Sequence, residues 1–373
     1  MQTDSFLYKF YYQWWKNIDK SILFIISLLF IIGLFFSLVS TSLIASDKLD
    51  TNSYFFFFKH LVYVVLGIFI LFVFSSFKEE QLIKYSIVLF FVSLIALVLV
   101  PILGVEVKGS KRWIDLFFLP RFQPIEVLKP FLIVFLATIL CTDKTNLTIK
   151  YLLITITISV ISILLIIQPD IGQTLLVVFS WSVIIFTSGI SIFILSAFFC
   201  LAIILLIYLI IYVPKFDYIQ GRILSFFNRE TGTHNFQSDK AIDSITSGGF
   251  FGKGIGEGTL KNRVPEAHTD YIISVISEEF GVVAIMLILL LFLIFIYMVF
   301  KKISFETDDR IKLILIGSIS LILMQATIHI GVNIRLFPTT GMTLPFLSYG
   351  GSSIISTSIL AGIILNLTKR KIN

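Results

Sequence analysis

Hydrophobic residues in this 373-residue chain fall in long unbroken blocks, not at the spacing of a half-buried helix or strand. A membrane-spanning helix needs roughly 20 predominantly apolar residues. That criterion predicts about ten spans, near residues 21–44, 54–77, 82–103, 124–141, 152–168, 171–188, 190–213, 271–300, 311–335 and 348–368. Only "QPDIG" and "SGI" separate the fifth, sixth and seventh. One connection is long, from Pro214 to Asp270, and is rich in Gly and polar residues. Such a segment is expected to be a structured surface loop that carries function. The predicted fold is an all-α integral membrane protein of about ten transmembrane helices. A tail (1–20) precedes a polytopic membrane domain (21–373), whose large extracytoplasmic loop (214–270) lies between spans seven and eight.

Composition agrees. Mean hydropathy is +0.97 and 14% of residues are charged, against about a quarter in soluble domains. The net charge of +6 comes from loop lysines, so nucleic acid is not an expected partner. Cys141 and Cys200 lie in apolar surroundings, too isolated for a disulfide framework or a metal cluster. The first block is too long for a signal-peptide core and no small-x-small site follows it, so it is expected to remain as a span. Ahead of it, Tyr11, Tyr12, Trp14 and Trp15 suit an interfacial belt. Ten spans put both termini on one side, and the density of Lys and Arg makes that side cytoplasmic. Outer cations concentrate in two connections, 104–129 and 214–270, which suggests an anion there.

Several motifs could carry chemistry. In "GVEVKGSKRWIDLFFLPRFQPIEVLKP" (104–130), Lys111, Arg112 and Arg121 can face an anionic head group, and Trp113 can anchor at the interface or stack on a sugar. Glu126 and Lys129 are three apart and can pair on a helix. "GGFFGKGIGEG" (248–258) looks phosphate-friendly but lacks the P-loop spacing, so a tightly turned loop is the simpler reading. In "VPEAHTDYIISVISEEFG" (264–281), Thr269 or Asp270 suits a helix N-cap. Glu278 would lie about 12 Å further along that helix, a depth where carboxylates are paired or functional. Gln325, His329 and Asn333 form a polar stripe for inter-helix hydrogen bonding, with Arg335 beyond it. Pro338 and Pro345 fit a broken segment, and Gly350 to Ser353 permit close helix contact. These features fit either a transporter or a membrane-embedded enzyme.

The motifs "KRWID", "FQPIEVLK", "QPDIGQT", "GRILSFFN", "SGGFFGKGIGEG", "VPEAHTDYIISVISEEFG" and "FPTTGMTLPFLSYGGSS" resemble, in order and across the chain, the SEDS family (shape, elongation, division, sporulation). "PEAHTDYI" with "TTGMTLPFLSYGGSS" resembles its division branch more than its elongation branch. Ile125 stands where the family usually has Ser, no Gly precedes Gln123, and His329 stands where Asn is common. The resemblance implies a peptidoglycan glycosyltransferase on the outer face of the cytoplasmic membrane, acting on lipid II, a disaccharide–pentapeptide on polyprenyl pyrophosphate. A lipid II flippase is the alternative. It also implies Asp270 as catalytic base, and Lys111, Arg112, Lys129 and Arg263 as cations for the leaving pyrophosphate, with a divalent cation (Mg or Mn) as a further expectation. Trp113, Glu126, His268 and Ser348 are implied at the substrate, with Glu278 and Glu279 bracing the cavity. The expected partners are a class B penicillin-binding transpeptidase and other divisome proteins.

Overall fold

The computed structural model describes residues 6–41, 54–107, 110–116, 119–142, 146–213, 216–227 and 233–369. Pro214 and the first five residues of the predicted tail lie outside these. The helices, in chain order, are α1 (Phe6–Asn17), α2 (Lys20–Thr41), α3 (Phe55–Ser76), α4 (Glu79–Leu103), α5 (Pro124–Leu140), α6 (Leu147–Ile167), α7 (Ile171–Thr187), α8 (Ile192–Tyr212), α9 (Asp217–Phe227), α10 (Thr233–Gly248), α11 (Ile272–Ile303), α12 (Asp309–Asn333) and α13 (Gly351–Leu367). Each predicted apolar block contains one of them. Seven (α2, α3, α4, α6, α8, α11 and α12) are long and apolar enough to cross a membrane. α5, α7 and α13 have 17 residues each, about 25 Å of helix against a hydrocarbon core of about 30 Å. The chain is a multi-pass membrane protein.

The chain is not all-α. Between α4 and α5 lies an antiparallel sheet of β1 (Val105–Val107), β2 (Ser110–Leu116) and β3 (Leu119–Phe122), in that order. Val105 and Val107 flank Glu106 in "VEV", the two-residue period of a half-exposed strand, and in "KRWID" the strand-favouring Trp113 and Ile114 lie between charged residues. Pro124 at the first turn of α5 then ends the sheet and starts the helix.

α13 is buried on nearly every side and forms the centre of the bundle. It meets α3 where small residues let the two approach: Gly67 lies against Ser358, and Gly362 against Leu71 and Phe74. Gly351 meets the Tyr63 ring, the close contact expected of the Gly-Gly-Ser-Ser run. Over its apolar stretch α12 is 67% buried, whereas α8 is only 6% buried and lies at the periphery.

α11 is two pieces. Gly281, at φ 76° and ψ −177°, breaks the helix. Residues 282–303 make about 33 Å of helix, a full span by themselves. Residues 272–280 therefore lie beyond the span, and Glu278 and Glu279 sit next to the break instead of deep in lipid. The glycine-rich loop fits into that break. Gly249 and Phe250 carbonyls accept from Val282 (3.0 Å) and Val283 (3.2 Å), while Lys253 and Gly254 amides donate to the carbonyls of Glu278 (2.8 Å) and Glu279 (3.0 Å). Backbone groups freed by the kink are thus satisfied within the protein. Neither Thr269 nor Asp270 caps α11. Tyr271 holds the cap position without a side-chain bond, and the Thr269 hydroxyl turns back to the Glu266 carbonyl at 3.2 Å.

A methyl group on Gly281 would overlap the Phe250 carbonyl in a backbone conformation that side chains resist. Gly281→Ala is expected to lower stability by at least about 1–3 kcal/mol, read as a lower thermal midpoint in detergent. An unchanged midpoint would mean that the break does not depend on glycine.

Candidate active site

The polar residues at the end of the bundle that carries the sheet and the long loop converge through three buried arrangements. The first joins α5 to α7. Glu126 and Lys129, both almost fully buried, approach to 2.9 Å one helical turn apart. The contact is electrostatic, because neither Glu126 Oε2 nor Lys129 Nζ is placed for a hydrogen bond. Glu126 Oε1 instead accepts from Gln173 Nε2 at 2.5 Å. Asp170, which caps α7 through Gln173 N, accepts from Gln123 Nε2 at 2.8 Å. It also lies 3.7 Å from Arg112 Nη1. The Arg112 guanidinium donates to the carbonyls of Gln168 and Pro169 as well. Burial pushes the Asp170 carboxyl above its ordinary range, and Arg112 draws it back down.

The second arrangement explains the polar stripe of α12. Residues 334–350 form an irregular segment with Met342, Leu344, Phe346 and Leu347 buried. Its backbone needs partners inside the protein, and the stripe supplies them. Gln325 donates to the Thr343 carbonyl at 3.1 Å. His329 Nδ1 donates to the Met342 carbonyl at 2.7 Å, which leaves Nε2 as an acceptor. Asn333 reaches further, donating to the Asp270 carbonyl at 3.0 Å. The stripe thus bonds chiefly to a broken segment, and Gln325 also reaches a helix, donating to the Ser353 hydroxyl of α13 at 3.4 Å.

These contacts place the half-buried Asp270. A side chain at Gly341 would bring its Cβ to 3.5 Å from Asp270 Oδ2, so glycine keeps that space open. Thr340 and Met342 on either side pack on Gly172 of α7, next to Gln173 and its bond to Glu126. A chain of contacts therefore runs from Asp270 to Lys129. Along it, Thr340 Oγ1, His329 Nε2, Asn333 Oδ1, Gln173 Oε1 and Lys129 Nζ are buried and take no hydrogen bond from the protein. Buried polar atoms are ordinarily satisfied, so these are available to water or to a polar ligand.

The third arrangement is the loop brace. Glu278 accepts from the amides of Leu260 (2.9 Å) and Lys261 (2.5 Å) and from the Ser244 hydroxyl (2.9 Å). Glu279 accepts from the Gly256 amide at 2.5 Å and pairs with buried Lys261. The loop looks phosphate-friendly because its amides do bind an anion, and that anion is the protein's own. The two carboxylates brace the loop against α11.

Of the remaining candidates, Lys111 lines a cavity of about 330 Å³ with Glu106, Ser110 and Gln168. Trp113 is half-buried on β2. Arg263 is exposed at the end of a 3₁₀ turn, Lys261–Arg263. The His268 ring packs on Phe56 (4.4 Å between centroids) and Tyr349 (5.8 Å). Ser348 is buried, its hydroxyl accepting from the Leu344 amide at 2.9 Å. Among the described residues no three His, Cys, Asp or Glu converge as a metal cage.

The family model described as "Cell cycle protein", which groups FtsW, RodA and SpoVE, matches residues 19–373. The chain belongs to this family. It is similar to the probable peptidoglycan glycosyltransferase FtsW of Caulobacter vibrioides, 30% identical over 96% of this chain and 91% of the relative. The FtsW of Francisella salina is 33% identical over 94% and 89%. Among solved structures, the fold matches a chain from "Structural coordination of polymerization and crosslinking by a peptidoglycan synthase complex", with TM-score 0.77 and 25% identity over 94% of this chain and 97% of that one. It also matches RodA of Thermus thermophilus, with TM-score 0.68, 25% identity, and 95% and 97% coverage. For this FtsW/RodA/SpoVE chain, Asp170, Gln123, Gln173 and Lys261 are site-forming residues that sequence reading passed over. "QPDIGQT" held the signal, since a carboxylate between two apolar blocks must find a partner.

Two outcomes test the arrangement. Lys129→Met strands Glu126 and should cost about 3–5 kcal/mol. Adding Glu126→Gln should restore much of the thermal midpoint, and failure to do so would show that the pair is not the linkage. Asp170 releases its proton at higher pH folded than unfolded, so stability falls as pH rises from the unfolded value towards the folded one. Arg112→Gln extends that window upward. Its stability deficit against wild type should therefore grow as pH rises above the ordinary carboxyl range, and the growth should vanish when Asp170→Asn is added.

Proposed function

We propose that this chain is a peptidoglycan glycosyltransferase of the FtsW type, which polymerises lipid II into β-1,4 glycan strands during cell division. Its support is joint: family membership over nearly the whole chain, and an acidic side chain beside the open space at Gly341, linked by contacts to a buried cation. FtsW relatives match at 30% identity and above, whereas the RodA structure matches at 25%, which favours the division branch.

In this reading the 4-hydroxyl of one lipid II attacks the anomeric carbon of the growing chain. Asp270 takes the hydroxyl proton as the bond forms. Polyprenyl pyrophosphate departs, and cations hold its developing charge. Lys129 suits that task because its ammonium makes no hydrogen bond within the protein, and Lys111 faces the cavity beside Gln168. Arg112 is committed to Asp170 and two carbonyls, so it positions the network instead. Arg263 stays a cation of the outer loop. Single displacement inverts the anomeric carbon, from an α-linked donor to a β-linked product. A divalent Mg or Mn ion would need Asp270 together with pyrophosphate oxygens, because the described residues supply no cage, and no step is assigned to it.

The ten apolar helices are assigned as ten spans of the cytoplasmic membrane, the three short ones lying where the bundle is most enclosed. Both termini are then cytoplasmic, and Asp270, the sheet and the large loop lie outside. A solved relative belongs to a complex coordinating polymerisation and crosslinking. By analogy this chain works with a class B penicillin-binding transpeptidase and other divisome proteins.

The deciding experiment is reconstitution with the transpeptidase in liposomes containing lipid II. Wild type is expected to make glycan strands. Asp270→Asn should lose activity by at least about 100-fold while its thermal midpoint and partner binding are kept. Polymerisation at the wild-type rate would remove Asp270 as the base.

A further inference from the structure

A larger cavity, about 500 Å³, lies where α5 ends at Leu140, α6 begins at Leu147, α7 ends at Thr187 and α12 begins at Asp309. α5, α7 and α12 carry Glu126, Gln173 and Asn333 towards their opposite ends. The cavity is therefore at the far end of the bundle, a helix length of about 25 Å from the network around Asp170.

Its charges are uneven. Lys150 is only 9% exposed and donates one hydrogen bond, to the Leu140 carbonyl at 3.0 Å, of the three its ammonium can make. Arg310 Nε is buried with no partner, and its Nη2 lies 3.7 Å from Asp308. Lys312 pairs with Asp309 at 2.9 Å. Against these three cations stand the carboxylates of Asp308 and Asp309, and the remaining wall includes Leu147, Leu313 and Ile316. The cavity therefore offers unmatched positive charge beside apolar surface, at one end of a membrane bundle. A phosphodiester joined to acyl chains combines the complementary features. Asp309, 79% exposed at its side chain, adds an acceptor at the rim. It can receive an ammonium or hydroxyl proton, which a quaternary amine cannot give.

We propose that this cavity binds the phosphodiester head group of a membrane phospholipid whose head carries N–H or O–H donors. The phosphate sits between Lys150 and Arg310, with the head-group donors towards Asp309. Occupancy ties together one end of α5, α7 and α12, the three helices whose other ends carry the polar network.

The test is native mass spectrometry of the full-length chain, purified from nanodiscs containing equal amounts of phosphatidylethanolamine, phosphatidylglycerol and phosphatidylcholine. One molecule of either donor-bearing lipid is expected per chain, favoured about fivefold over phosphatidylcholine. Arg310→Gln should lower retention about tenfold, with the thermal midpoint of the delipidated protein unchanged. Ile316→Trp, which fills the cavity without altering charge, should expel the lipid too. Lipid retained by both variants, or equal retention of phosphatidylcholine, would overturn the proposal. So would displacement of the lipid by millimolar inorganic phosphate, which would mark a soluble anion as the ligand.

Discussion

An ion surrounded by apolar helices must find an opposite charge or a set of dipoles, and that requirement organises the half of this protein that holds Asp270. Glu126 takes Lys129 and Gln173, Asp170 takes Arg112 and Gln123, and Glu279 takes Lys261. Each pairing joins segments distant in sequence, apart from Glu126 with Lys129. Net stabilisation from such buried pairs is small, because desolvation offsets most of the attraction. Their effect is positional, since a displaced partner leaves an isolated charge. The bundle is therefore most constrained where its chemistry is placed.

Backbone satisfaction follows the same logic. Residues 334–350 run irregularly between buried surfaces, and the α12 stripe meets their carbonyls one by one. Asn333 continues the series to the Asp270 carbonyl. The acid's main chain is thereby fixed by α12, while Gly341 leaves space beside its carboxylate. No capping bond is needed to hold it. The loop from Gly249 to Lys261 repeats the pattern against α11, donating amides to Glu278 and Glu279.

Much of this fold was legible because its signal is local. A block of about 20 apolar residues reports a helix irrespective of its neighbours, and all ten blocks became helices. The sheet was missed because its strands are short and were read only as a loop of charges. The break at Gly281 was missed because a lone glycine in an apolar run is ambiguous until its neighbour, the Phe250 carbonyl, is known. Site residues divide the same way. Glu126 and Lys129 could be paired from spacing alone. Asp170 with Arg112, or Glu279 with Lys261, required folding to bring together residues 58 and 18 positions apart. Ser348 adds a contact of the same kind, its hydroxyl accepting from the Leu344 amide, which the motif alone did not announce.

The discontinuity in α11 bears on how such a protein tolerates membranes of different thickness. A helix spanning a thinner or thicker bilayer adjusts by tilting, and in a continuous rod that tilt would swing everything above it. Here the lower piece, residues 282–303, meets the upper piece at a single glycine, and the loop bonds both sides of it, Val282 and Val283 below and Glu278 and Glu279 above, while Asp270 is held by α12. The loop therefore splints the joint, and a change of tilt below it reaches the acid only through a segment that α12 also holds.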